Sequence, residues 1–582
     1  MQGTLEALLA LHNGFILFVF LAFFVIWLIV ARNRSAALHK LRSEETGATE
    51  LTEDTQTAPQ ITLVMPVKGT HASSDANWIS QTTRHGYHGK VEFVFVVQEE
   101  ADPAYALLRQ MQADGRLPKD GLRVLVAGLT TNTSQKLHNM IYAIERVSEA
   151  SEFVLMLDDD MLLHRGAVAG LARILADPTV LAASGFSCDV PALPTVVCHT
   201  ACLFRLVMDL SISLGIADAA WGGCCMMRRA DLLESVPGGV MSHWKSNGYS
   251  DDWIITQVAR RTGKRIINPP WALFLNLVDI NTLRRLYNFM QRQLFVTDTY
   301  VQPAKSEELS SACTGGCGGR LEPHRVESIV LPHVMLTIGF VFCLSTVLIP
   351  LQLGLLMHDL VDDGLKDDDW VHRLLLHRVD RMLLIAIPLL GIPGVTIGGI
   401  SAVSAQAALI THLSPESGEA LRECGSWSMW RFPLSFILFN LMSVGWTCQG
   451  FYGESVVWSG VKYTKRRGSV HNVERLQKQP ETTTSSSRRS RAWSANGIGG
   501  RSQRRSSRAW SASGVGNRWP SQGRDSRGAP VSEKELQVVT VVSATGIPIG
   551  TPAEGKELIP SKEGTLDSNR FSASNGRSSH VA

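Results

Sequence analysis

Cysteine is scarce. Ten in 582 residues are too few for a disulfide-dense secreted scaffold. Net charge is nearly absent as well, with 56 Lys+Arg against 53 Asp+Glu. That balance hides an asymmetry. From Lys462 to the end there are 21 Lys+Arg and 9 Asp+Glu, while the rest of the chain has 35 against 44. The chain is therefore an acidic body with a basic tail. Residues 14–31, GFILFVFLAFFVIWLIVA, carry no charge at all. No Lys or Arg precedes that run and no small-residue cleavage site follows it, which argues against a cleaved signal peptide. What is abundant is apolar. A hydrophobic content of 45% excludes a wholly disordered chain or a Gly-Pro fibre, and the length exceeds one ordinary domain.

At a rise of about 1.5 Å per residue, the 14–31 run nearly crosses a hydrocarbon core of about 30 Å. Arg32, Arg34, Lys40 and Arg42 follow it, so the positive-inside rule predicts a cytosolic region next. Three further apolar stretches lie at about 332–357, 383–413 and 432–458. Four simple spans would put the basic tail in the lumen, against the preference of Lys462, Lys465, Arg466 and Arg467. The overlong 383–413 stretch contains Pro388, Gly391, Pro393 and Gly394, and a re-entrant hairpin there restores parity. The acidic loop 358–382 then sits on the lumenal side.

Between these stretches, strand-like and helix-like segments alternate. Ile61–Val67, Val91–Val97, Leu122–Val126 and Phe153–Leu157 read as strands, and about 103–114, 134–150 and 165–176 as helices. The alternation predicts an α/β domain with a mostly parallel sheet. The expected organisation is an anchor at 1–34, a linker at 35–59, the α/β domain at 60–303 and a flexible loop at 304–325. A membrane region at 326–461 and a disordered basic tail at 462–582 complete it.

Ligands of parallel sheets sit beyond the C-terminal strand ends. One such end reads FVLMLDDDM, where Asp158, Asp159 and Asp160 repel one another unless water or a cation neutralises them. Asp158 and Asp160 point to the same side of an extended segment, which suits a hard divalent cation shared with phosphates. A solvated acidic turn is the plainer alternative. Asp251 and Asp252 precede an amphipathic helix, where N-capping is the commoner role and a general base aimed into a cleft the functional one. Arg292 lies in an apolar stretch that calls for an anionic or amide partner.

Several ordered motifs together resemble family-21 glycosyltransferases, the ceramide glucosyltransferases, over about residues 12–300. LVMPVKG (63–69) is similar to the family's opening strand and Pro-x-Lys-Gly turn, and VVQEEADPAY (96–105) to its first acidic segment. SQKLHNM (134–140) brings Lys136 and Asn139, and CCMMRRADL (224–232) and YSDDW (249–253) match two later motifs. The resemblance implies a GT-A nucleotide-sugar (Rossmann-like) domain with N- and C-terminal transmembrane helices. It implies inverting transfer of glucose from UDP-glucose to the primary hydroxyl of ceramide, in a multi-pass Golgi or ER membrane protein with a cytosolic catalytic domain.

By the same resemblance, Glu99 stands where the family usually has Asp, near the uracil and ribose. Asp158 and Asp160 hold Mg²⁺ or Mn²⁺ on the diphosphate, Asp252 is the base and Arg292 the arginine of a Gln/Arg-x-x-Arg-Trp motif. Gln293 replaces that motif's tryptophan, which bears on the acceptor more than on the donor. Two other readings remain: a processive polysaccharide synthase or other membrane GT-A enzyme, and a non-catalytic membrane scaffold. A glycosidase explains neither the metal-type aspartates nor the spans.

Cys313 and Cys317 lack a second ligand pair for zinc, Cys224 and Cys225 read as buried and inert, and His199 as a packed core histidine. The tail repeats SRAW (490–493 and 507–510) and suits either an anionic membrane surface or basic-directed kinases. Solvated disorder serves as well, and nothing in it makes a strong case for nucleic acid.

Overall fold

The computed structural model describes residues 2–47, 58–214, 219–233, 239–298, 323–363, 379–424, 427–466 and 469–476. The expected acidic loop (in large part), Cys313, Cys317 and the tail beyond 476 lie outside them.

A seven-stranded sheet dominates, in the order β3-β2-β1-β4-β7-β5-β8. Its strands are β1 (Gln60–Pro66), β2 (Val91–Val97), β3 (Leu122–Val126), β4 (Ser151–Leu157), β5 (Val180–Ser184), β7 (Cys224–Arg228) and β8 (Arg265–Ile267). β1 to β4 are mutually parallel, and β7 alone runs antiparallel to its neighbours. The four apolar runs recognised in the sequence are these first four strands. Both faces are covered, which is why the runs are continuous and not alternating. Leu63, Met65, Phe95 and Leu155 enter one core, and Val64, Val94, Val96, Val154 and Met156 the other. β6 (Phe186–Pro191) and β9 (Leu273–Val278) form a separate parallel pair.

Helices α1 (Gln2–Gly47), α2 (Ser74–Thr83), α3 (Pro103–Ala113), α4 (Gln135–Ile144), α5 (Ala167–Ile174) and α6 (Val196–Ser213) lead into the second half of the domain. There α7 (Arg229–Leu233), α8 (Val240–Lys245), α9 (Asp251–Thr262) and α10 (Leu283–Asp298) follow. Chain order reverses between β1, flanked by β2 and β4, and their C-terminal ends open at that switch point.

Beyond the domain come α11 (Pro323–Asp363), α12 (Val379–Ala386), α13 (Ile392–Leu413), α14 (Pro415–Cys424) and α15 (Arg431–Tyr452). Among the described residues, three helices are long and apolar enough to cross a membrane: Thr4–Ser43, His333–His358 and Val379–Leu413. The expected hairpin at 383–413 does not form. α12 and α13 are one continuous helix, joined through a π-helical turn at Ile387–Gly391. Pro388 removes one backbone donor, and the wider turn absorbs the defect without reversing the chain. The fourth stretch, α15, is not among the three. The tail expected from 462 also begins later, since β10 (Ser455–Trp458), β11 (Val461–Arg466) and β12 (Ser469–Arg475) form an antiparallel sheet.

The long helices are built into the α/β domain. Leu409 and Ile410 of α13 belong to its core. Arg34 of α1, read from sequence as a topological charge, is buried and paired with Asp209 of α6. Its Nη1 donates to the Pro270 carbonyl at 2.7 Å, and Gln406 of α13 donates to Asp209 at 2.7 Å. A buried charge left alone costs about 3–5 kcal/mol. Asp209→Ala is therefore expected to lower the thermal midpoint of the full chain in detergent, and adding Arg34→Met to recover part of the loss. Unchanged midpoints would show that the pair is dispensable.

Candidate active site

A cleft of about 360 Å³ opens at the C-terminal ends of β1, β2 and β4. Among the segments that line it are the turn after β1, the acidic end of β4, the start of α4, the loop 221–223 and the start of α9. The turn after β1 is pinned by Asp102, the N-cap of α3. Its Oδ1 accepts from Gly69 N at 2.8 Å and Ala104 N at 3.0 Å, and its Oδ2 pairs with Lys68 at 3.0 Å. The Asp-Pro of VVQEEADPAY is thus a helix cap that fixes a neighbouring loop.

Asp158, Asp159 and Asp160 line the cleft together with Asp251 and Asp252. Lys136, on the first turn of α4, reaches into this group. Its Nζ lies 2.7 Å from Asp158 Oδ1 and 3.0 Å from Asp251 Oδ2, and donates to the Gly222 carbonyl at 3.1 Å. Burial alone would lower the lysine's pKa, but Asp158 and Asp251 outweigh it and hold the ammonium charged. Lys68, Lys136 and Arg205 in the lining do not balance five carboxylates. Burial pushes Asp158 up to about 6, helped by Asp160 and Asp251 and opposed by Lys136. Burial also raises Asp160, with Asp189 adding to it and Lys136 and Arg205 opposing. Asp159 is raised chiefly by burial and then by its two neighbours.

Asp252 is held on both oxygens. Oδ2 accepts from Gly222 N at 3.1 Å, and Oδ1 from Trp253 N at 2.8 Å and from the Ser250 hydroxyl. Burial raises its pKa, and Asp251 adds to the rise. Ser250 is the N-cap of α9, its hydroxyl accepting from Trp253 N, so neither aspartate is the cap itself. Gly222 is required sterically. A Cβ there would lie 2.6 Å from a carboxylate oxygen of Asp251.

The residues singled out in the sequence converge unevenly. Lys136, Asn139, Asp158, Asp160 and Asp252 all line the cleft. Asn139 accepts from Gln135 at 2.8 Å. Glu99 stands outside the lining, beside Lys68 at 3.8 Å and Arg475 at 3.3 Å, while its neighbour Gln98 lines the cleft. Gln293 lines it too, whereas Arg292 does not; the guanidinium lies 5.9 Å from the Trp458 ring centroid. His199 is buried and bonded to the Thr195 carbonyl, and Cys224 and Cys225 are buried.

Sequence reasoning missed Arg205 and the whole of β10 and β11. Arg205 lines the cleft from α6, 3.9 Å from Asp189 and 5.6 Å from the Trp221 centroid. Its signal was a lone cation in the apolar run VVCHTACLFRLV. Trp458, Ser459 and Tyr463 complete the lining from the far end of the chain.

Among the described residues, no group of three or more His, Cys, Asp or Glu is arranged to hold a metal. A divalent cation needs less when phosphates share it, since one or two carboxylates then suffice. Asp158 and Asp160, both oxygen donors whose pKa values are raised chiefly by burial and then by neighbouring carboxylates, fit that requirement.

No curated protein matches the chain. Solved structures that resemble it include a mannosyltransferase from Pyrobaculum calidifontis in complex with GDP-Man and Mn²⁺. That likeness has 14% identity and a TM-score of 0.32, over 74% of this chain and 99% of the other. Glucosyl-3-phosphoglycerate synthase from Mycobacterium tuberculosis, in complex with Mn²⁺, UDP and glucosyl-3-phosphoglycerate, has 12% identity and a TM-score of 0.26. There the coverage is 42% of this chain and 81% of the other. Residues 19–292 match the family model "Glycosyl transferase family 21", and this match, on a mostly parallel GT-A-like sheet, supports a nucleotide-sugar glycosyltransferase with membrane helices.

Proposed function

We propose that this protein transfers glucose, with inversion, from UDP-glucose to the primary hydroxyl of ceramide. One observation carries the reading. A doubly anchored carboxylate, Asp252, shares a single cleft with the carboxylates Asp158 and Asp160, on a domain whose core includes the end of a membrane-type helix. The motif resemblance supplies the donor and the acceptor. The arginines after the first apolar run favour a cytosolic domain, where nucleotide sugars are made, and the family implies a Golgi or ER membrane.

Inverting transfer is a single displacement. The acceptor oxygen bonds to the anomeric carbon as the bond to the diphosphate oxygen breaks. Asp252 takes the hydroxyl proton, its raised pKa bringing it nearer the working pH of a general base. Its three hydrogen bonds fix the direction of that transfer. Lys136 and Arg205 bring positive charge to the departing diphosphate. Asp158 and Asp160 would hold Mg²⁺ or Mn²⁺, which supplies Lewis-acid charge neutralisation there. Asn139 and Gln98 offer amide partners on the nucleotide side, with Glu99 at the rim. Arg292 acts through Trp458 and α10, not by direct contact with the cleft.

Microsomes containing the protein, given UDP-glucose, Mg²⁺ and ceramide, are expected to form glucosylceramide, read by mass spectrometry. Asp252→Asn should abolish product and leave UDP affinity largely intact; full activity in that variant removes Asp252 from the mechanism. EDTA should suppress product and Mn²⁺ restore it.

A proton competes with the cation at Asp158. With that carboxyl pushed up to about 6, the ionised fraction falls about tenfold from pH 7 to pH 5. Mn²⁺ affinity of the full chain, read by electron paramagnetic resonance, should fall by about the same factor. A flat profile takes Asp158 out of the cation site.

A further inference from the structure

The cleft floor is charged, and its roof is aromatic. That roof is supplied by the β10–β11 hairpin, which follows α10 only after two membrane-type helices and α15. Trp458 pairs with Val461 across a two-residue turn, Ser459–Gly460. Both turn residues have positive φ, 50° and 78°, the mirror-image geometry that matches the twist of paired strands. The tip is therefore held stiffly, with Trp458 and Ser459 in the lining.

The hairpin is fastened to the segments that carry the chemistry. The Tyr463 hydroxyl accepts from Gln135 N, one residue before Lys136, at 3.1 Å. Tyr463 and Phe295 pack edge-on against Tyr249, with centroids 5.5 and 5.1 Å away, and Trp458 lies 6.5 Å from it. Tyr249 directly precedes Ser250–Asp252. Lys465 donates to the Gly450 carbonyl at 3.0 Å, and Val470 N to Asn247 O at 3.1 Å. The half-buried Trp458 packs at the edge of this cluster and faces Arg292, and its ring also lines the cleft together with Asp252 and Gln293.

Charged groups of the floor suit phosphates and hydroxyls. A pyranose ring also has an apolar C–H face, and an aromatic ring is the side chain that complements it with large contact area. We propose that the β10–β11 hairpin is part of the sugar site and that Trp458 is the surface on which the donor hexose stacks. This rests on the nucleotide-sugar reading and adds to it the residue that distinguishes a nucleotide sugar from its bare nucleotide.

The test compares UDP and UDP-glucose binding by calorimetry on the full chain in detergent. Trp458→Ala should weaken UDP-glucose about tenfold and leave UDP within about twofold. Trp458→Phe should retain most of the affinity, with both thermal midpoints unchanged. An equal loss for UDP and UDP-glucose, or a lowered midpoint in both variants, would make the hairpin structural only. A change confined to the acceptor KM would also overturn the proposal. Wild-type protein that binds UDP-glucose but makes no glucosylceramide would refute the ceramide reading while leaving this one standing.

Discussion

Everything in the cleft answers to an excess of buried negative charge. Five carboxylates meet where β4 ends and α9 begins, and Lys136 bridges two of them. Repulsion of this kind destabilises a fold unless the scaffold is rigid enough to bear it. The scaffold here is a two-faced parallel sheet with both cores filled, so the strand ends cannot splay to relieve the charge. The strain is relieved by protons on the carboxyls or by a bound cation. The concentration of charge at the strand ends is thus a consequence of the packing beneath it.

The same economy governs the union of domain and membrane helices. Arg34, Asp209 and Gln406 come from three helices, and the buried Asp209 carboxylate accepts from both of the others. Together with Leu409 and Ile410 in the domain core, they make the helices a structural wall of the enzyme. A flexible tether would leave the cleft free to point anywhere. This arrangement fixes its height and direction relative to the long helices.

Much of this was legible in the sequence. The four parallel strands are uninterrupted apolar runs, and Asp158, Asp160, Lys136 and Asp252 were marked by residue type at strand or helix ends. What was illegible depends on contacts distant in the chain. Hydropathy alone does not separate a broken helix from a hairpin, so the π turn at Ile387–Gly391 was misread. A basic stretch such as VKYTKRRGSV has no long apolar run, and β11 and β12 show a core face only through Val461, Tyr463 and Val470 packing on Tyr249 and Phe295. Arg205 passed unnoticed and Arg34 was read only as a topological charge, because their partners Asp189 and Asp209 are not marked as such in the sequence. Glu99 and Arg292 were placed by motif, and the fold seats Gln98 and Gln293 in the lining instead.

The position of the hairpin in the chain has a consequence for biosynthesis. The α/β domain is fully encoded by residue 298, but its cleft gains Trp458 and Tyr463 only after three more long helices have been made. A ribosome must therefore release both the membrane region and its last strands before the site is whole. The lining of the cleft is therefore incomplete in the nascent chain until those helices and strands have been made.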